Sequence, residues 1–164
     1  MRMVLREISL TLPNRPGALE GVARTLADHR INLAALGVDS SPKAGRARLI
    51  VSDPDAAVRL LSAAGYDPEV REMLAVRLED RAGSFLRVLE VLGREKVNIQ
   101  SVAILVAREG NRPLVAISSN DLPRARRLLH SAGLVSRAAE GLVSNGDLLA
   151  GSPKIPGESV GLLL

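Results

Sequence analysis

Cysteine and tryptophan are missing from this chain, and Tyr66 and Phe85 are its only aromatic residues. Without cysteine there is no disulfide, no thiolate metal site and no thiol nucleophile. That absence fits a reducing compartment, so a cytoplasmic location is expected. With so few aromatics, any core must be packed from Leu, Val, Ile and Ala. No run approaches ~18 uninterrupted apolar residues, and the first residues lack the apolar centre of a signal peptide, so no membrane partner is expected. Lysine is scarce as well: Lys43, Lys96 and Lys154 are the only three, and arginine carries the net charge of +4. Such a balance permits contact with anions or nucleic acid, although a plain preference for arginine is the simpler reading.

What the chain does contain is a repeat. Asn14-Arg15-Pro16-Gly17-Ala18-Leu19 returns as Asp80-Arg81-Ala82-Gly83-Ser84-Phe85, 66 residues on. The same spacing relates Val22 to Val88, Leu26 to Leu92, Ile31 to Val97 and Asn32 to Asn98. Further along, Leu60-Leu61-Ser62-Ala63-Ala64-Gly65 returns as Leu128-Leu129-His130-Ser131-Ala132-Gly133 at a spacing of 68. A repeat this long is a small domain rather than a solenoid unit. The 164 residues suffice for two cores of about 70 residues each, near the lower limit for independent folding. The expected divisions are residues 1–71, 72–144 and a C-terminal tail, 145–164, rich in Gly, Pro and Ser.

Each copy follows one order. In the first, Val4, Ile8, Leu10 and Leu12 suggest a strand with one well-buried face. Pro16 suits the first turn of a helix, and Leu19, Val22, Ala23 and Leu26 form one helical face. Ile31 to Val38 and Ala47 to Val51 read as strands joined by a turn. Asp53-Pro54 starts a second helix and Gly65 stops it, with strand character again from Val70. In the second copy Leu74 to Leu78 is the first strand, Asp121 caps the last helix, and Leu134 to Val143 should hold the final strand. Two βαββαβ units place the chain in the α+β class, as two ferredoxin-like domains in tandem. Each is an antiparallel sheet with two helices on one face.

The repeated loop has its own chemistry. Gly17 and Gly83 carry no Cβ, so a ligand or a second backbone can approach closely. The loop opens a helix whose first N–H groups lack internal partners, and a carboxylate is the natural guest there. Asn14 and Asn32 each offer a donor and an acceptor, suited to the charged ends of a free amino acid; helix capping and strand initiation are the plainer roles.

The pattern Asn14-Arg15-Pro16-Gly17-Ala18-Leu19 followed by Asn32-Leu33 resembles the ACT domain, a regulatory amino-acid-binding module. Asp80-Arg81-Ala82-Gly83-Ser84-Phe85 with Asn98-Ile99 is a weaker form, and the resemblance spans roughly residues 3–143. It implies ligand binding at Asn14, Arg15, Pro16, Gly17, Ala18, Leu19 and Asn32, and at Asp80, Gly83, Ser84 and Asn98. The first and second strands of such a unit run parallel, so Asn14 and Asn32 lie at opposite ends of their sheet. A site then needs two domains, and Asn14 is expected to pair with Asn98, and Asp80 with Asn32. This is similar to the regulatory domain of phosphoglycerate dehydrogenase, whose effector serine sits at such an interface. Leu12 and Leu78, however, stand where that domain has a ligand-binding His. Asp80 and Ala82 also depart from the pattern, which makes the first loop the better expected site.

The resulting expectation is a non-enzymatic regulatory protein, with a free amino acid as effector, a homodimeric state and a regulated enzyme or transcriptional partner. No catalytic residue, metal or cofactor is expected: His29 and His130 stand near helix ends without clustered carboxylates, and no P-loop or nucleophile elbow occurs. An RNA-binding ferredoxin-like module is an alternative, given Arg124, Arg126 and Arg127, but it lacks aromatics on which bases could stack. A regulatory subunit of acetolactate synthase is another; its second half does not normally repeat the glycine loop and its following Asn.

Overall fold

The computed structural model describes residues 4–136. In chain order its elements are β1 (Leu5–Leu12), α1 (Ala18–Asp28), β2 (Leu33–Ser40), β3 (Gly45–Val51), α2 (Pro54–Ala63), β4 (Glu69–Arg77), α3 (Ser84–Arg94), β5 (Ile99–Glu109), β6 (Arg112–Ser119) and α4 (Leu122–Ser131). The expected last strand is represented by a single bridge, Val76 to Val135; the rest of Leu134 to Val143, like the tail at 145–164, lies outside the described residues. Among those described, no helix is long and apolar enough to cross a membrane.

The α+β fold has the two expected ferredoxin-like units, joined more closely than the repeat implied. All six strands form one antiparallel sheet in the order β2-β3-β1-β4-β6-β5. The strands expected from Val70 and over Leu74 to Leu78 are a single strand, β4. Its first half, Glu69 to Met73, pairs with β1, and its second half, Leu74 to Arg77, pairs with β6. The expected division after residue 71 therefore falls inside a continuous strand. No Gly, Pro or Asn interrupts Glu69–Arg77, so nothing in this segment favours a turn.

Each unit packs its two helices on one sheet face. Val22, Leu26, Ala57 and Leu61 meet Ile8, Leu10 and Leu49; Val88, Leu92, Ala125 and Leu129 meet Leu74, Val76 and Ile117. Truncating one such residue, Leu26→Ala for example, should cost about 2–5 kcal/mol. A third core fills the space between the units, because the sheet curls until their helix-free faces meet. Leu5, Ala35, Ile50 and Met73 pack there with Ala75, Leu105, Leu114 and Ala116. This corrects the expectation of a single buried face on β1. Ile8 and Leu10 face the helices, while Leu5 and Glu7 are buried on the other side.

Candidate functional site

The two glycine loops are built alike. Gly17 and Gly83 each sit at the N-cap of a helix with φ of +83°, and neither helix receives a side-chain cap. This left-handed conformation is open to glycine at little cost. A Cβ at either position would meet nothing within 4 Å, so the space above both loops is open. Pro16 stands in the turn ahead of Gly17 rather than in the first helical turn, because α1 begins at Ala18. The other two helices contrast with these. Asp53 accepts from the Ala56 N–H at 2.9 Å and Asp121 from the Arg124 N–H at 3.0 Å, closing the starts of α2 and α4. Among the four described helices, the starts beside the glycine loops are thus the two left to attract an anion.

The asparagines occupy the positions that topology requires. Asn14 is not a helix cap; its side-chain amide donates to the Ser41 carbonyl at 2.8 Å and ties the loop to the β2–β3 turn. Asn32 opens β2 at the other end, where its N–H donates to Ser52 Oγ at 3.0 Å and its carbonyl accepts from the Ser52 N–H at 2.9 Å. Asn98 repeats this, donating its N–H to Asn120 Oδ1 at 2.9 Å. Asp80 accepts from Arg108 Nη2 at 3.1 Å, and Arg108 also approaches Asn111 in the β5–β6 turn. One loop therefore reaches its turn through an amide and the other through an ion pair. The strand directions put Asn14 and Asn98 toward one end of the curled sheet and Asp80 and Asn32 toward the other. The hydrogen bonds of the Asn14 and Asp80 side chains and of the Asn32 and Asn98 backbones, however, run within their own units.

A cavity of about 280 Å³ opens against the second loop. Gly83 and Ser84 form its floor at the start of α3, and Ala132, Gly133 and Leu134 close it from the end of α4. Four arginines, Arg77, Arg81, Arg87 and Arg112, line it with one acid, Glu79. Arg77 is anchored by donating to Glu109 Oε1 at 3.3 Å and to the Gly133 carbonyl at 3.2 Å. Hydrogen bonding from Arg81, followed by that residue's charge, holds the Glu79 carboxyl below the usual carboxylate range. Ser84 Oγ is shielded from solvent and has no hydrogen-bond partner among the described residues. The arrangement can receive a negatively charged group at the start of α3, with cationic side chains around it. Asp80 is not part of this lining.

The sequence favoured the first loop, whereas this arginine-lined cavity lies against the second. Arg77, Arg87 and Arg112 were missed because they lie outside the repeated motif. At the corresponding first-unit positions stand Thr11, Gly21 and Ala44, and that contrast was legible once the copies were aligned. The histidines stand at helix ends as expected; His29 Nδ1 lies 2.9 Å from the Thr25 carbonyl.

The fold recurs in proteins of known structure. The chain is similar to a Bacteroides thetaiotaomicron protein, with a TM-score of 0.78 and 27% identity, over 87% of this chain and 97% of that one. It is also similar to the regulatory subunit of aspartate kinase from Thermus thermophilus, with a TM-score of 0.58 and 19% identity, over 80% of this chain and 93% of that one. The corresponding Thermus flavus subunit gives a TM-score of 0.53 and 18% identity, over 80% and 94%. At these identities the Thermus proteins share the fold. No curated protein matches the sequence. The family model describing an ACT domain pair matches residues 3–143, and the chain belongs to that family.

Proposed function

We propose that the chain is a non-catalytic regulatory protein that senses a small carboxylate-bearing effector, an amino acid in the first instance, at a site completed where ACT domains meet. The observation that carries this reading is the uncapped start of α3, set in a cavity with four arginines. A helix start and fixed guanidinium groups favour a carboxylate through the same electrostatics. The fold shared with regulatory subunits of aspartate kinase makes an enzyme a natural regulated partner, with a transcriptional partner as the other choice. In the proposed assembly, a homodimer, Asn14 meets Asn98, and Asp80 meets Asn32, across domains. Regulation follows from linkage: an effector bound only by the assembled form stabilises it and shifts affinity for the partner by the same coupling energy.

A thermal-shift screen of the common amino acids tests the proposal. One of them should raise the melting temperature in a saturable way, and Arg87→Ala should abolish the shift. Asn14→Ala in parallel reports whether the first loop takes part. Silence across the panel would leave a purely structural interaction module as the better reading.

A further inference from the structure

Among the described residues, Glu7 is the one carboxylate sealed between the two units, at 2% exposure. Its Oε2 accepts from Ser101 Oγ at 3.1 Å, a contact from β1 of the first unit to β5 of the second. Its Oε1 is shielded from solvent and has no hydrogen-bond partner among the described residues. A carboxylate in such a place is strongly disfavoured unless a donor or a cation meets it. Among the described residues neither meets Oε1. Arg71 stands opposite Glu7 in the β1–β4 register but is exposed. Arg48 lies nearer the opening and donates to Asp39 Oδ2 at 2.6 Å.

Glu7 does, however, line a second cavity of about 280 Å³ between the units. Small residues create it: Ala35 and Gly37 on β2 and Ala103 on β5 leave space beside Ile50, with Arg48 toward the mouth. The cavity is thus lined by an acid, by aliphatic walls and by a guanidinium.

We propose that this inter-unit cavity binds a primary ammonium group on a short aliphatic chain, the ammonium donating to Glu7 Oε1 and the chain lying against Ile50, Ala35 and Ala103. Such a ligand supplies the donors that Glu7 lacks and touches both units at once, so it braces the packing of one unit on the other. The site is separate from the arginine-lined cavity, which needs an anion, and it does not depend on the function proposed above. Two sources share this chemistry, a simple alkylamine and the ammonium end of an amino acid. The second would also place its carboxylate on Arg48.

The test is calorimetric and thermal-shift titration of the full chain with n-butylammonium, which has no carboxylate for the arginine-lined cavity to hold, and with L-norleucine. Wild type should give saturable stabilisation with n-butylammonium. Glu7→Gln, which keeps the volume and an acceptor for Ser101, should weaken binding about tenfold or more, the usual loss when a charged hydrogen-bond partner is removed. A second variant, Gly37→Val, fills the cavity without touching Glu7. A Cβ there would meet only Arg48 Nη2 at 3.8 Å and Nε at 3.9 Å, so the strand should accept it and the ligand be excluded. Loss of L-norleucine binding alone in Arg48→Met would identify the amino-acid source; equal retention of both ligands would identify the amine. No saturable response in wild type, or unchanged affinity in Glu7→Gln or folded Gly37→Val, would overturn the proposal.

Discussion

The Tyr66 hydroxyl closes over Gly21 of α1, so that a Cβ at residue 21 would stand 2.7 Å from it. In the second unit the corresponding residues are Leu134 and Arg87, at repeat spacings of 68 and 66. Both of these line the arginine-rich cavity. The copies therefore differ most where the family pattern does not look. One has a tyrosine laid on a glycine, and the other has an arginine beside open space. Replacing glycine by alanine inside a helix ordinarily gains about 0.5–1 kcal/mol. Gly21→Ala alone should yield none of this, because its methyl meets the tyrosine. In a Tyr66→Leu background the same exchange should stabilise by about 0.5–1 kcal/mol. Urea denaturation of the four proteins measures the coupling, and a value of zero would remove Tyr66 as the reason for Gly21.

The backbone makes a second prediction, with opposite signs at two kinds of position. Gly17 and Gly83 hold φ of +83°, and an L side chain there is strained even though space is free. Gly83→Ala should cost about 1 kcal/mol. Arg30 and Lys96, just past α1 and α3, hold φ of +57° and +55°, where α2 and α4 are followed by Gly65 and Gly133. Arg30→Gly and Lys96→Gly should each stabilise by about 0.5–1 kcal/mol, by removing the strain of a side chain in the left-handed region. Chemical denaturation of each single variant is sufficient. Stabilisation by Gly83→Ala, or destabilisation by both glycine replacements, would contradict the argument.

These positions also show what the sequence could and could not reveal. The units, the helical faces around Leu26 and Leu92, and the Asp53 and Asp121 caps follow from local periodicity and turn chemistry, which one sequence displays. The joining of the units through β4 does not, because the repeat invites a cut where the backbone continues. The burial of Glu7 was hidden for a related reason: a charged residue alternating with Ile8 reads as solvent-facing until the second unit covers that face. The arginine cavity assembles Arg77, Arg87, Arg112 and Gly133 from four separate segments. No spacing rule brings these together, and the loop that best matched the family was favoured instead.

Acid should act on a defined ion pair. Arg6 on β1 donates to both carboxylate oxygens of Asp55, at 2.6 and 2.8 Å, in the first turn of α2. Hydrogen bonding from Arg6, then its charge, with Arg59 adding a smaller effect, holds the Asp55 carboxyl below its usual value. A carboxyl whose pKa is depressed by folding contributes stability above its unfolded pKa. That contribution disappears as pH falls through the lower, folded value. Both groups are accessible to water, so the contribution is modest and should weaken with salt. Carboxyl carbon NMR should show Asp55 titrating below an ordinary aspartate, and Arg6→Met should return it to that range. An Asp55 titration indifferent to Arg6→Met would mean the pair is not maintained in solution.

The free edges of the sheet set the last expectation, the homodimer. β2 and β5 are the edge strands, and each carries aliphatic side chains in water. Ile104 is 75% exposed and Val106 67%, with Val102, Leu36 and Val38 also exposed. The partners of Val102 and Ile104 on β6, Ile117 and Val115, belong to the core beneath α3 and α4. Val102 and Ile104 therefore project from the same sheet face as that core, but at its uncovered margin. An edge that combines unpaired backbone groups with branched apolar side chains is a template for another strand. No charged residue stands between Val102 and Val106 on β5, so no side-chain charge opposes pairing over that stretch. Ile104→Glu places a charge at the centre of the proposed contact, and its burial on association would be strongly unfavourable. Light scattering over a dilution series should show wild type as a dimer and Ile104→Glu as a monomer with an unchanged circular dichroism spectrum. A wild type that is monomeric throughout, or an Ile104→Glu dimer of equal affinity, would move the proposed interface away from this edge.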